Sequence, residues 1–386
     1  MSRLKVGGAL LGLLALAMAY ASPSWAEKRY IKATYSYNTG KLTYDLPSVP
    51  YCRYFPSVCS PGHELAHTVE LPFHFSTQLS RYNGIHQRLN ISYPYYEKYG
   101  TLSSASGGSY RFSLQILAMA VEVSNDWVNA RHPLLGWPDA EAACTAQVSP
   151  KARTMVALAR KTSGSGVCYG MRPGTTQDNL IYEVRTAGAA FRLDVPSLKS
   201  MVPGVYTGSI RYAVGGHYAQ DFGLGPGVVR QSTDSFELEV QLTVRAGLKV
   251  DFPAGSDHAE LKPAGGWQAW ANGQIPPELA RDLPFRISAN GPFTVKLQCG
   301  GPICYLRKTD GSQVPVNGWL SMPGVTWQGA PVANTAIGTA MRRFEVPRAI
   351  VNSPSVLHLK VRDVGYMFRY PGTYQGQVTV VFDAAI

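Results

Sequence analysis

Apolar and polar residues alternate along most of this chain. Phe112, Leu114, Ile116 and Ala118 fall at every second position, and so do Val69, Leu71 and Phe73. Phe236, Leu238, Val240 and Leu242 repeat the pattern with Glu237, Glu239 and Gln241 between them. A period of two marks a strand with one face in a core. Turn-forming pairs punctuate these runs at Asn83-Gly84, Pro203-Gly204, Asp310-Gly311, Asn317-Gly318 and Pro371-Gly372. One stretch reads as a helix instead: Ser149 supplies an N-cap, Pro150 suits the first turn, and the run extends to Lys161. Residues 123–145 follow neither period. The pattern predicts an all-β protein with one helical insertion.

An internal repeat divides the chain. PGVYTGSIRY begins at Pro203 and PGTYQGQVTV at Pro371, sharing Pro-Gly-x-Tyr-x-Gly-x-(Ile/Val). A weaker echo precedes each copy, Phe191 to Val195-Pro196 and Arg343 to Val346-Pro347. Two copies at domain-sized spacing imply two domains of one architecture. Pro-Gly makes the turn, and Tyr206 or Tyr374 can pack across the corner with its hydroxyl on backbone. This arrangement is similar to the tyrosine corner of immunoglobulin-like sandwiches. The expected fold is two tandem immunoglobulin-like β-sandwiches.

The two copies have different sequels. After the first come a loop at 213–234 and a clean strand at 235–244; after the second the sequence stops at Ile386. The second sandwich is therefore expected to lack its final strand. Such a gap leaves an apolar groove and unpaired backbone groups. Filling it with about five apolar side chains is worth on the order of 8–15 kcal/mol as an upper figure. Leu248, Val250 and Phe252 on the first strand of that sandwich, and Val378, Val380 and Phe382 on the last, are predicted to border the vacancy. A strand from another chain would fill it by β-strand addition.

The ends and the composition set the compartment. Arg3 and Lys5, an uncharged run from Val6 to Ala21, and Ser24-Trp25-Ala26 make a secretory signal peptide over 1–26. A mature chain of roughly 360 residues suits two domains. The full sequence carries a formal charge of +11, of which the leader contributes +2, and the charge is spread along it with no basic run. That gives solubility and weak attraction to anionic surfaces, and no nucleic-acid partner is expected. The six cysteines fall into local pairs, Cys52/Cys59, Cys144/Cys168 and Cys299/Cys304. Export favours three disulfides, each contributing roughly 2–3 kcal/mol. No cofactor is expected. The anticipated boundaries are 27–244, a linker at 245–247, and 248–386.

In this order of features the chain resembles the two-domain tip adhesins, or pilus-biogenesis initiators, of alternate (class 5) chaperone–usher fimbriae, the cable-pilus and colonisation-factor type. The resemblance rests on several features taken in sequence. They are the small Cys52–Cys59 loop, the mid-domain Cys144/Cys168 pair, Val195-Pro196, and Val205-Tyr206-Thr-Gly208-Ser-Ile210. Glu239-Val-Gln-Leu-Thr243, Leu248-Lys-Val250 and Gly372-Thr-Tyr374-Gln-Gly376-Gln-Val378 complete it. It implies an N-terminal adhesin domain and a C-terminal pilin domain at the fimbrial tip, on the cell surface, after passage through the periplasm. The implied partners are a periplasmic chaperone, an outer-membrane usher, the N-terminal strand of a major pilin, and a host-cell glycan or glycoprotein. The tip position is implied because the N-terminus belongs to the adhesin domain and has no strand to donate. Members of that class carry an arginine cluster as receptor site, with an adjacent pair after the motif strand. Here the place reads Gly215-Gly216-His217-Tyr218, so the receptor site does not carry over. Arg81, Arg88, Lys98 and His217 are the candidates for receptor contact.

Two other readings compete. His63-Glu64-Leu65-Ala66-His67 matches the H-E-x-x-H of zinc metalloproteases. That motif needs a helix, yet Pro61-Gly62 precedes it and Pro72 lies just beyond it. The aromatic run Tyr93, Tyr95, Tyr96 and Tyr99 would suit a secreted carbohydrate-binding module, although aromatics at this spacing more often fill a core. Such a module has no reason to leave a groove open. A non-enzymatic protein is expected.

Overall fold

The computed structural model describes residues 27–47, 49–79, 88–105, 108–124, 134, 137–150, 154–164, 167–170, 180–216 and 220–384. The leader expected at 1–26 lies outside them. The protein is almost entirely β; α1 (Val364–Arg369) is the α-helix among the described residues.

The first fifteen strands are β1 (Glu27–Ser36), β2 (Lys41–Asp45), β3 (Thr68–Leu71), β4 (Phe75–Leu79), β5 (Asn90–Ile91), β6 (Lys98–Ser103), β7 (Ser109–Ser124), β8 (Cys144–Pro150), β9 (Thr154–Lys161), β10 (Cys168–Tyr169), β11 (Leu180–Asp194), β12 (Gly204–Gly215), β13 (Phe222–Gly223), β14 (Val228–Gln231) and β15 (Ser235–Arg245). Their main sheet runs β14-β4-β11-β7-β6-β12-β15-β1-β2, with β9 and then β8 branching from β7. It curls around one large core that includes Phe112, Phe191, Tyr206, Tyr212 and Phe236. A smaller core lies on the other face, where Val49, Tyr51, Phe55, Val58 and Leu65 cover Ala118, Ala120, Val156, Leu158 and Ala190.

The later strands are β16 (Leu248–Asp251), β17 (Leu279–Ala289), β18 (Phe293–Gln298), β19 (Tyr305–Arg307), β20 (Gln313–Pro315), β21 (Asn317–Trp327), β22 (Ala330–Ile337), β23 (Arg342–Phe344), β24 (Ile350–Val361) and β25 (Thr379–Ala384). They form two sheets, β16-β17-β24-β21-β22 and β23-β18-β25, beside a β19–β20 hairpin. Phe285, Ile287, Leu320 and Leu357 of the first sheet share one core with Phe293, Val295, Leu297 and Phe344 of the second.

The helix expected over 149–161 does not form. Instead β8 and β9 pair antiparallel, registered from Cys144–Lys161 to Pro150–Met155, and β9 also pairs with Met119–Ser124 of β7. The cause is burial on both faces. Met155, Ala157 and Ala159 enter the large core while Val156 and Leu158 enter the small one. A strand covered on both sides reads as a continuous apolar run and carries no polar alternation.

A bulge explains a second irregularity. Phe112, Leu114 and Ile116 face the large core, but beyond Leu117 it is Met119, Val121 and Val123 that do so. The register with β11 shifts between Ala190/Ala118 and Phe191/Ile116, leaving Leu117 as the extra residue. One extra residue exchanges the two faces of a strand.

Both copies of the repeat form the corner. The Tyr206 hydroxyl donates to the Val202 carbonyl at 3.0 Å, and that of Tyr374 to the Tyr370 carbonyl at 2.8 Å. The second glycine of each copy lies against a neighbouring carbonyl: a Cβ on Gly208 would strike Thr101 O and one on Gly376 would strike Tyr305 O. The motif glycine is thus required by close backbone approach.

The three cysteine pairs are bonded, with Cα separations of 5.7 Å for Cys52–Cys59, 5.4 Å for Cys144–Cys168 and 5.5 Å for Cys299–Cys304. Where β15 leads into β16, the fully buried Asn290 donates to the carbonyls of Met201 and Arg245 and accepts the Gly247 N–H at 2.7 Å. Asn38 accepts the Leu248 N–H, and the Tyr37 hydroxyl donates to Ile350 O at 2.7 Å.

Candidate functional site: an open groove between two strand edges

The main sheet supplies an internal reference. There β15 lies between β12, antiparallel over Gly204–Ala213, and β1, parallel over Glu27–Ser36. Among the later strands the corresponding place is unfilled. β25 pairs with β18 on one side only, and β16 with β17 on one side only. Among the described residues no strand joins β16 to β25.

Between these two edges lies a cavity of about 670 Å³. Its floor is apolar: Leu283, Leu306, Val316, Leu357 and Leu359, all core residues, line it. Val378, Val380 and Phe252 stand at its margin, and the 253–261 loop forms one wall. Phe382 does not line the cavity but packs beside Phe252, with ring centroids 6.5 Å from Phe252 and 5.6 Å from Phe285. Leu248 and Val250 lie half-buried against the same core, alternating with the exposed Lys249 and Asp251, but do not line the cavity.

The six residues proposed from the sequence therefore fall on the two edges. Three line the cavity, Phe382 touches the lining residue Phe252, and Leu248 and Val250 lie further along β16. Sequence reasoning missed the floor. Leu357 and Leu359 belong to a period-two run in β24, and Leu283 to one in β17, so alternation marks them as core. Leu306 lies in β19 and Val316 directly follows β20, a hairpin whose position no local pattern gives.

The chemistry available here is association. The cavity offers apolar side chains at alternating depth beside strand edges with unused backbone donors and acceptors, which suits an extended strand.

Of the four receptor candidates, Arg88 and Lys98 are each held by a carboxylate. Arg88 donates to Asp139 Oδ2 at 2.7 Å and to Gly170 O at 3.2 Å, and its side chain is only 13% exposed. Lys98 donates to both oxygens of Asp221, at 2.8 and 2.9 Å, and to Arg211 O. Arg81 and His217 lie outside the described residues.

The H-E-x-x-H run lies in turns, not a helix. His63 Nδ1 accepts the Leu65 N–H at 3.1 Å, Glu64 pairs with Arg160, and His67 stacks on Tyr44 with centroids 4.0 Å apart. Burial holds the His67 pKa below its ordinary value. Each residue is engaged separately, and among the described residues no group of three or more His, Cys, Asp or Glu is placed to hold a metal. A Ser–His–Asp chain crosses the outer face of β21, β24 and β17: Ser321 Oγ to His358 Nε2 is 2.9 Å and His358 Nδ1 to Asp282 Oδ1 is 2.7 Å. Ser321 Oγ also accepts the Asn334 N–H. It ties three strands together.

No protein-family model and no curated protein matches the chain. Solved structures do. The CFA/I enterotoxigenic E. coli adhesin CfaE, as a point mutant, matches over 94% of this chain and 93% of its own at 10% identity and a TM-score of 0.32. A chain of the CsuC–CsuE chaperone–tip adhesion subunit pre-assembly complex, from the archaic chaperone–usher Csu pili of Acinetobacter baumannii, matches over 93% of this chain and 99% of its own. Its identity is 12% and its TM-score 0.28. The chain is similar to an enterotoxigenic E. coli adhesin and to a tip adhesion subunit of a chaperone–usher pilus.

Proposed function

We propose that this chain is a non-enzymatic tip adhesin and initiating subunit of a chaperone–usher pilus, exported through the periplasm to the cell surface. Residues 27–244 form its adhesin domain, 245–247 the linker, and 248–386 a pilin domain completed by a donated strand. The periplasmic chaperone donates first; at the outer-membrane usher the N-terminal strand of the next pilin replaces it. The adhesin domain then holds a host-cell glycan or glycoprotein. One observation carries this reading: the apolar cavity between the free edges of β16 and β25, in the place that β15 fills between β12 and β1. The segment 27–36 supports the tip position, since as β1 it is paired along its whole length with β15 and cannot serve as a donor.

The test is complementation. A donor strand from the pilin, added as a peptide or fused after Ile386 through a flexible linker, is expected to give a monomer of much higher melting temperature. A ligand that binds only the folded state must act in this direction. If the unfused chain is monomeric and no donor strand moves its melting temperature, the proposal fails, and a free-standing secreted binding module becomes the better account.

A further inference from the structure

A second feature lies at the opposite end of the adhesin half. β12 starts at Gly204, next to Pro203, which packs on Gly291 of the other half, and runs away to Gly215. At about 3.3 Å per residue its far end is roughly 36 Å along the strand from that junction. Lys98 reaches Arg211 O near this far end, and Asp221 accepts the Ala213 N–H there at 2.8 Å. Here a cleft of about 280 Å³ is lined by Tyr93, Tyr95, Tyr96, Lys98, Lys161 and Asp221.

Two properties distinguish this cleft. The first is a fixed, exposed aromatic. Tyr96 is 73% exposed, stands edge-on to Tyr95 with centroids 5.4 Å apart, and rests on Gly164, where a Cβ would strike its ring. A ring held this way presents area to a ligand at little entropic cost. The second is a cation with no counter-charge. The Lys161 ammonium is held by neutral oxygens alone, Gly164 O at 3.0 Å, Tyr93 O at 3.1 Å and Ser92 Oγ at 3.4 Å. Among the described residues no carboxylate pairs with it, and burial lowers its pKa. The neighbouring charges differ: Asp221 is neutralised by Lys98, and Glu97 is exposed at the rim. A half-buried ammonium without a counter-charge favours an incoming anion.

Resting on the adhesin reading, we infer that this cleft is the receptor subsite, and that it takes an acidic pyranoside whose ring stacks on Tyr96 and whose carboxylate or sulfate approaches Lys161. Sugar faces are apolar and their rims are hydroxylated, which suits an aromatic platform ringed by donors and acceptors.

Binding of sialyllactose, sulfated lactose and unsubstituted lactose to the full exported chain tests this. At least one acidic probe should bind at least about tenfold tighter than lactose, and which one it is identifies the anion. Tyr96→Ala should weaken that binding by roughly tenfold or more without changing the melting temperature. Lys161→Met should erase the preference for acid over neutral sugar; should that variant not fold, Tyr96→Ala with the probe series decides. Equal binding of all three probes, no binding of any, or full binding by Tyr96→Ala overturns the inference. Adhesion to host cells separates the two levels. If Tyr96→Ala adheres as the unaltered chain does, the cleft is not the subsite while the adhesin stands. If the unaltered chain does not adhere at all, the adhesin reading itself fails.

Discussion

The two copies of Pro-Gly-x-Tyr-x-Gly make the same corner in different company. After the first, the chain enters β12 at once, pairing with β15 from Gly204–Val244 onward, and Tyr206, Ile210, Tyr212 and Val214 are all buried. After the second, residues 372–378 form no strand. Their sheet-like contact is a bridge of Gln375 to Arg307, and β25 begins only at Thr379. The matching positions Tyr374, Val378, Val380 and Phe382 are half-buried. The corner itself is local, set by the turn, the tyrosine hydroxyl and the close-approach glycine. The strand after it is not local: β15 lies along β12, whereas among the described residues β25 pairs only with β18.

The largest expected effect comes from supplying that missing neighbour, which should extend β25 back toward Gly376 and bury Val378 and Val380. Amide exchange in 372–384 should slow strongly with a donor strand bound, and the melting temperature should rise by at least roughly 10 °C. Exchange in Gly204–Gly215 should not change, because β15 already covers that strand. Unaltered exchange in 372–384 with donor present would remove the contrast between the copies.

Val380→Asp sharpens it. Val380 pairs with Leu297 and lines the cavity, so a seated donor would bury the new carboxylate. That costs several kcal/mol unless the group stays protonated. Donor binding should be lost, while any melting transition of the first half stays in place. Retained complementation would mean that the donor does not occupy this cavity.

Tyrosine-to-phenylalanine substitutions give a smaller, graded effect. Removing the Tyr206 hydroxyl strands the Val202 carbonyl in a part-buried setting and should cost about 1 kcal/mol. Tyr374→Phe should cost less than half that while its surroundings stay wet, and approach the Tyr206 figure once a donor is bound. Denaturant melts of both variants, with and without donor, measure this.

Legibility in the sequence obeys the same division between local and non-local causes. Alternation, turn pairs and the repeat marked the all-β class and the two edges of the groove, since each depends on a few neighbouring residues. The 149–161 stretch misled because the small core covers the far face of β9, a fact set by residues near Val49 and Phe55 a hundred positions away. The bulge at Leu117 hid in the same way, because Phe112-x-Leu-x-Ile-x-Ala keeps its period in sequence while the strand changes face. The groove floor at Leu306 and Val316 required the placement of a hairpin. His63 to His67 carried a motif without its helix, because the Cys52–Cys59 segment folds as turns over the small core.

The weakest expected effect separates the halves by pH. His67 is partly buried against Tyr44 and Phe191 in the first half, and desolvation lowers its pKa from 6.5. A histidine whose folded pKa is lowered takes up its proton more readily in the unfolded chain. Between the folded and unfolded values the unfolded state binds more protons, so stability is full above about pH 6.5 and falls as pH drops below it. In the later half neither His258, with a side chain 93% exposed, nor His358, hydrogen-bonded to Ser321 and Asp282 on an outer sheet face, lines the cavity. Acidification from pH 7.5 to 5.5 should therefore lower the stability of the first half by an amount that His67→Gln removes. The shift that donor binding produces in the second half should stay the same over this range. Melts followed by exchange in Gly204–Gly215 and in Thr379–Ala384 read the two halves separately. A first-half acid shift that persists in His67→Gln would assign it to another group and leave this difference between the halves without its cause.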